Sequence, residues 1–278
     1  MNNTVEQIIL ITGATDGLGR RVAEDLAATG AILLLHGRNQ QKGEKLIENI
    51  RAASGNSQLH YDNADFSSLA EVNQLAETVT AVQPRLDVLI NNAGLGAGPR
   101  PQQRETSADG YELRFAVNYL APFLLTHRLL PLLRRASEEM GEARIINVAS
   151  AAQQALDFAD PMLEKDYSGM RAYSQSKLAL VMFSFDLAAE LKESGICVNA
   201  LHPASLMDTN MVREWFGTPQ TTVEEGADAL EHLVLAEELK GVTGKYFNGQ
   251  QLARATDQAY DEEARRRLRE LSRRWVGI

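Results

Sequence analysis

A short apolar run, a glycine-rich turn and a helical pattern follow one another near the start of the chain, and together they leave few folds open. Ile8 to Ile11 is continuously apolar, as expected for a parallel strand covered on both faces. The turn at residues 12–19 follows, and Leu18, Val22 and Leu26 then repeat at helical spacing. Backbone N–H groups and the positive helix end would face a ligand here, which predicts a pyrophosphate site. The alternative is a plain glycine-rich turn.

The alternation of strands and helices continues to the end of the chain without a repeat or a linker. Apolar runs at residues 31–36, 58–61, 86–90, 144–148, 196–202 and 244–247 predict further strands. A long helix is predicted at residues 111–135, kinked near Pro122, and a C-terminal helix at residues 261–275. This pattern predicts an α/β fold over residues 1–278: a single-domain, doubly wound (Rossmann-type) parallel sheet of about seven strands with helices on both faces.

The residues at the ends of the second and third strands indicate which cofactor the protein binds. The second strand ends at Arg38 with no acidic residue beside it, and Arg20 offers another positive charge. An acid there would bind a ribose 2′-hydroxyl, whereas arginine binds a 2′-phosphate, so we expect NADP(H) in preference to NAD(H). The alternative is that Arg38 is merely exposed. Asp65 follows the third strand, where the base of a cofactor would lie.

Two other positions near the expected cofactor are informative. Asp16 lies within the glycine-rich turn, where a negative charge beside a pyrophosphate is unfavourable unless it caps the following helix. We therefore interpret Asp16 as a cap at the edge of the cofactor site. The small residues at 91–94 follow the fourth strand and allow the backbone to pack closely against a ligand.

Tyr173 and Lys177 form a candidate proton-transfer pair. Four positions separate them, so they lie on the same face of the helix predicted at residues 172–194. A neighbouring cation favours the phenolate, lowers the pKa of the tyrosine and lets it exchange a proton with an alcohol oxygen. By spacing alone, such a pair is more often part of a solvated helix face.

Composition excludes several other functions. The net charge of −9 argues against nucleic acid as a partner. The single cysteine, Cys197, fits a reducing compartment and a buried structural thiol. We see no signal peptide and no apolar run near the roughly 20 residues that span a bilayer, so a cytoplasmic protein without a membrane span is expected. The five histidines are scattered, and we predict no metal site.

Several motifs together resemble the short-chain dehydrogenase/reductase family. They are Thr-Gly-x-x-x-Gly-x-Gly at 12–19, Asn-Asn-Ala-Gly at 91–94, Asn118, Ser150 and Tyr-x-x-x-Lys at 173–177. The resemblance covers nearly the whole chain in the expected order. The spacing from Ser150 to Tyr173, His202-Pro203 and Gly-Lys-Tyr-Phe at 244–247 are similar to the retinol-dehydrogenase-like branch.

The resemblance implies a role for each matching residue. Tyr173 would be the general acid/base, Lys177 would lower its pKa and hold the nicotinamide ribose, and Ser150 would orient the substrate carbonyl. Asn118 would support a water that links Lys177 to a proton relay. The implied cofactor-binding residues are Gly13, Thr15, Asp16, Gly17, Leu18, Gly19, Arg38, Asp65, Asn92, Ala93, Gly94, Asn118, Tyr173, Lys177 and Pro203. Ala204 and Asp208 depart from the family pattern, which has glycine and a hydroxyl residue there; Thr209 follows one position later.

These inferences lead to an oxidoreductase that transfers a hydride between NADP(H) and a lipophilic carbonyl or alcohol. A substrate lid is expected within residues 205–222, which contain Leu206, Met207, Met211, Val212, Trp215 and Phe216. The alternative for these side chains is simple packing of a loop. The alternative function is a nicotinamide-nucleotide-sensing binding or regulatory protein with little turnover. The helices that carry Asn118 and Tyr173 commonly form subunit contacts in the family, so the resemblance leaves a homodimer or a homotetramer open. Asp186 and Glu190 lie one turn apart on the Tyr173 helix, and we interpret them as part of a solvated or interface face.

Overall fold

A computed structural model describes residues 6–98, 103–215 and 217–278, with only the backbone described at Trp215. These residues form one eight-stranded sheet in the order β3-β2-β1-β4-β5-β6-β7-β8. The strands are β1 (Ile8–Ile11), β2 (Ile32–Gly37), β3 (Leu59–Asn63), β4 (Val88–Asn91), β5 (Ala143–Val148), β6 (Ile196–His202), β7 (Lys245–Asn248) and β8 (Gln251–Ala253). The doubly wound α/β prediction is confirmed.

The strand count exceeds the predicted seven because the chain turns back after β7. β8 pairs antiparallel with β7, and Gly249 takes a positive φ of 58° in the tight connection. The other strand pairs are parallel. Gln251–Ala253 is short and half polar, so it gives no strand signal in the sequence.

The helices cover both faces of the sheet and enclose two apolar cores. The helices α1 (Gly17–Ala27), α2 (Gln40–Ser54) and α8 (Val223–Leu235) pack on one face. On the other face lie α3 (Leu69–Val82), α4 (Leu113–Phe115), α5 (Ala121–Met140), α6 (Gly169–Glu190) and α9 (Glu262–Val276). A short helix, α7 (Asn210–Trp215), lies beyond the carboxyl end of β6. Within the described ranges, no helix is both long and apolar enough to cross a membrane.

The long helix predicted at residues 111–135 is interrupted. A π-helical turn, Ala116–Leu120, separates α4 from α5 and contains Asn118. Pro122 lies in the first turn of α5 and has no N–H to donate to the preceding turn, so that turn can widen. The irregularity expected at Pro122 is therefore this π turn, which places Asn118 against α6.

The C-terminal helix α9 packs on α6 and on the π turn. Ser272 Oγ and the Tyr119 hydroxyl lie 2.6 Å apart in the interior. Arg269 forms an ion pair with Asp186 at 2.7 Å, and Arg273 lies 3.9 Å from Glu190. Helix α9 thus covers this side of α6 at Asp186, whereas Glu190 remains exposed, as expected for a solvated face.

Candidate active site

A cleft of about 860 Å³ opens at the carboxyl ends of the central strands. Parallel strands direct the loops that follow them to one edge of the sheet, where ligands bind in such folds. Most of the predicted site residues line this cleft: Gly13, Thr15, Asp16, Gly17, Leu18, Gly19, Arg38, Asn92, Ala93, Gly94, Ser150, Tyr173, Lys177 and Pro203. Asn118 is fully buried behind it.

The glycine-rich loop is held against the segment after β4. The side-chain amide of Asn92 donates to the carbonyl oxygens of Thr12 at 2.9 Å and Gly13 at 3.1 Å. Thr12 Oγ1 in turn accepts from the N–H groups of Asn92 and Ala93. A Cβ atom at Gly13 would lie 2.8 Å from the Cα of Ala93, and one at Gly19 would overlap Gly13 O and the Asn92 amide. The cradle therefore admits only glycine at these positions and fits a pyrophosphate at the start of α1.

Asp16 caps α1, as predicted, and also contacts the lid region. One carboxylate oxygen accepts from Gly17 N at 2.8 Å. The other accepts from the side-chain amide of Asn210, the first residue of α7, at 2.7 Å. Both oxygens thus receive a donor, which disperses the negative charge near the cradle.

Arg38 and Lys42 are exposed cations that line the far end of the cleft. Lys42 was not predicted, although it follows Arg38 by four positions and this spacing was available as a signal. Arg20, the predicted second cation, instead forms an ion pair with Glu24 at 2.8 Å. It is not one of the described residues that line the cleft. A 2′-phosphate at this end would meet Arg38 and Lys42.

Asp65 does not reach the cleft through its side chain. Its carboxylate accepts from Ser67 N at 2.9 Å and shapes the turn before α3, and Asp65 is not among the described lining residues. The neighbouring Phe66 lines the cleft instead.

His36 is a buried residue of the cleft wall that sequence reasoning missed. Its Nδ1 accepts from Gly13 N at 3.4 Å, so its Nε2 carries the proton and donates to Ala64 O at 2.9 Å. The ring stacks on Phe66 with a centroid separation of 4.2 Å. Burial lowers the pKa of His36 to about 4, so the ring is neutral at physiological pH.

Lys177 and Asn118 meet beside Gly94. Lys177 Nζ donates to Val148 O at 2.8 Å, and burial lowers the pKa of this lysine to about 8. Asn118 bonds both backbone groups of Leu95, at 2.7 and 3.0 Å, and donates to Ser176 Oγ. Its side chain therefore fixes the segment after β4 against α6.

The side chains of Tyr173 and Ser150 are neighbours in the wall of the cleft. Burial raises the pKa of Tyr173, and the neighbouring Ser150 hydroxyl lowers it in part. The structure does not show the lowering expected from Lys177, whose Nζ lies 6.0 Å from the ring centre. Desolvation of the phenol dominates here, and Tyr173 is protonated at neutral pH.

The loop after β6 explains the departures from the family pattern. Asp208 forms a two-pronged ion pair with Arg213 at 2.6 and 2.8 Å and is not among the described cleft-lining residues. Thr209 lines the cleft and lies beside Gly17, where a Cβ would be 3.1 Å from its methyl group. The Thr209 methyl group thus lies next to the cradle, while its hydroxyl accepts from Val212 N at 3.3 Å.

The predicted lid is partly described. Leu206, Met207, Met211 and Val212 line the cleft and give this wall an apolar surface. Phe216 and the side chain of Trp215, which were also assigned to the lid, lie outside the described part of the chain.

Comparison with known proteins identifies the family. The family model for short chain dehydrogenases matches residues 7–220. Retinol dehydrogenase 13 of Mus musculus is 35% identical over 97% of this chain and 84% of its own length. An uncharacterized protein from Mycobacterium paratuberculosis superposes with a TM-score of 0.79 at 27% identity, covering 98% of this chain and 94% of that one. A short chain dehydrogenase from Escherichia coli, complexed with NADPH, gives a TM-score of 0.71 at 28% identity, covering 88% and 97%.

The chain therefore belongs to the short-chain dehydrogenase/reductase family of oxidoreductases, in its retinol-dehydrogenase-like branch. The resemblance drawn from the sequence motifs is confirmed.

Proposed function

We propose that this protein transfers a hydride between NADP(H) and a lipophilic carbonyl compound or alcohol. The pairing of Tyr173 with Ser150, beside the buried Lys177 and in one cleft with the glycine cradle, carries the proposal. The two hydroxyl groups offer hydrogen bonds to one substrate oxygen, and rigid elements hold both.

Each residue then has a defined part in the reaction. A bound nicotinamide supplies the hydride chemistry. Tyr173 gives its proton to the substrate oxygen in reduction and takes one in oxidation, while Ser150 orients that oxygen. Lys177, charged below its pKa of about 8, stabilises the phenolate that remains after the proton has left.

The preference for NADP(H) is supported by Arg38 and Lys42 at the far end of the cleft. Both side chains are exposed and able to reach a 2′-phosphate, for which arginine provides charge-assisted hydrogen bonds. The similar structure from Escherichia coli is an NADPH complex, which agrees with this assignment.

The lipophilic substrate is supported by the apolar wall formed by Leu206, Met207, Met211 and Val212. Apolar walls with a few polar groups are typical of small-molecule sites. The relative from Mus musculus is named for retinol, an apolar alcohol. Replacing Met211 with glutamine should raise the KM for long-chain aldehydes more than that for short ones.

The decisive experiment assays a panel of aldehydes, ketones and alcohols with NADPH and NADH in parallel. Tyr173→Phe should lower turnover by ~10³-fold while changing the dissociation constant for NADPH by less than about twofold. Tyr111→Phe is the control, because its hydroxyl bonds Trp275 O away from the cleft.

Normal turnover by Tyr173→Phe would contradict the assigned mechanism. NADPH binding without turnover across the whole panel would instead support a nucleotide-sensing or regulatory protein. A cytoplasmic location stays a prediction, to be tested by fractionation of the source cells.

A further inference from the structure

The backbone carbonyl of Ser150 is held by two side chains, Gln153 and Tyr246, to which the resemblance assigns no role. Gln153 Nε2 donates to it at 2.9 Å, and the Tyr246 hydroxyl donates at 3.1 Å. Ser150 lies two residues beyond the end of β5, so its carbonyl takes no part in the hydrogen bonds between strands. These two donors therefore fix the orientation of the Ser150 peptide group.

Tyr246 is a rigid donor. It lies on β7, paired with Ala200 of β6 on one side and Ala253 of β8 on the other, and only 5% of it is exposed. Burial raises the pKa of Tyr246 to about 12, so it keeps its proton over the physiological range. The hydroxyl and the Gln153 side-chain amide donate to the same oxygen, Ser150 O, which brings the two donors together.

Gln153 is itself anchored from the C-terminal part of the chain. Its Oε1 accepts from Thr256 N at 3.0 Å. Three residues further on, Leu156 exchanges two hydrogen bonds with the side chain of Gln258, at 2.6 and 3.1 Å. The segment before α9 thus clamps the loop that begins at Ser150.

Neither Tyr246 nor Gln153 is among the described residues that line the cleft. These side chains can therefore affect the reaction only through a residue that lines the cleft. Both of them donate a hydrogen bond to Ser150, which does line it. A rotation of the Ser150 peptide would move its Oγ away from the Tyr173 hydroxyl. We propose that Tyr246 and Gln153 are positioning residues that hold Ser150 against Tyr173 for catalysis. This inference rests on the proposed oxidoreductase function.

The test compares Tyr246→Phe and Gln153→Leu, which remove the donors and keep most of the side-chain volume. Each should lower kcat/KM for a carbonyl substrate by ~10-fold, the size expected for one hydrogen bond, with NADPH affinity unchanged. Tyr111→Phe, which also removes a tyrosine-to-carbonyl hydrogen bond, should have no effect.

A second readout does not depend on turnover. With ¹³C-labelled tyrosine, NMR titration reports the pKa of Tyr173, assigned by its absence in Tyr173→Phe. Because the neighbouring Ser150 hydroxyl lowers the pKa of Tyr173, both positioning variants should raise this pKa. If Tyr246 had only a structural role, its replacement would leave the pKa of Tyr173 unchanged.

A double-mutant comparison isolates the route through Ser150. In the Ser150→Ala background, Tyr246→Phe should cause no further loss of activity. An equal loss in both backgrounds, or an unchanged Tyr173 pKa in both positioning variants, would overturn the proposal. An inactive wild-type protein would contradict the proposed function instead, while the NMR titration would still decide whether these residues control the Ser150–Tyr173 pair.

Discussion

The two ends of the cleft are built in different ways. At the dinucleotide end, a short continuous segment forms a backbone cradle, tied to the chain after β4 by Asn92. At the reaction end, side chains from separate elements line the cleft, Ser150 after β5 and Tyr173 on α6, and Tyr246 of β7 supports Ser150 from behind. The first end depends on the absence of side chains, and the second on the placement of a few hydroxyl groups.

The two ends also differ in the charge they bury. His36 lies under the cradle as a neutral ring, since burial lowers its pKa to about 4. Lys177 lies under the reaction end with a pKa of about 8 and therefore keeps its charge at neutral pH. Burying a cation lowers the stability of the folded protein. The presence of a buried lysine at the reaction end therefore agrees with a role in catalysis.

Gly19→Ala should have the largest effect at the dinucleotide end. A Cβ atom there would overlap the Gly13 carbonyl oxygen and the Asn92 amide, so the cradle must open. We expect NADPH affinity, measured by fluorescence titration, to fall by ~100-fold or more. If the two ends are independent, the pKa of Tyr173 measured by NMR should be the same in this variant as in the wild type. A shifted Tyr173 pKa would show that the two ends are coupled.

His36 should make the stability of the dinucleotide end sensitive to acid. Its pKa is about 4 in the folded protein and 6.5 in the unfolded chain, so the unfolded state alone binds the proton as pH falls between these values. The free energy of unfolding should drop by about 2 kcal/mol from this residue between pH 7 and pH 5.

His36→Asn should remove that part of the pH dependence in urea denaturation, whereas His60→Asn, at an exposed position of β3, serves as the control. An unchanged slope in His36→Asn would mean that the ring is not held neutral in the folded protein.

The dinucleotide end could be predicted from the sequence more completely than the reaction end. Residues 12–19 were interpretable because local spacing alone places glycine where the backbone must bend. Tyr246 was not, because its contact with Ser150 spans 96 positions and depends on the order of strands. Lys177 was assigned correctly to the cleft, but the raised pKa of Tyr173 was not predicted, since desolvation depends on packing from distant elements.

Arg38→Ala should separate the cofactors at the dinucleotide end. Loss of one charge-assisted hydrogen bond to a 2′-phosphate should weaken NADPH binding by roughly tenfold and leave NADH binding unchanged. Lys42→Ala should have a smaller effect of the same kind. Arg20→Ala is the matched control, because Arg20 pairs with Glu24 outside the described cleft lining. Equal losses for NADPH and NADH would place Arg38 at another part of the cofactor.

Thr209→Val should give the smallest change and decide which residue of the loop after β6 serves the cradle. Thr209 lines the cleft, and its hydroxyl accepts from Val212 N and so holds α7 beside the cradle; loss of this hydroxyl should weaken NADPH binding by roughly threefold. Asp208→Asn should change the dissociation constant by less than about twofold, because the Asp208 carboxylate already bonds Arg213 in an exposed pair. A clear gain in NADPH affinity for Asp208→Asn would show instead that this carboxylate faces the cofactor phosphates, and the dinucleotide end would then depend on side-chain charge as well as on backbone shape.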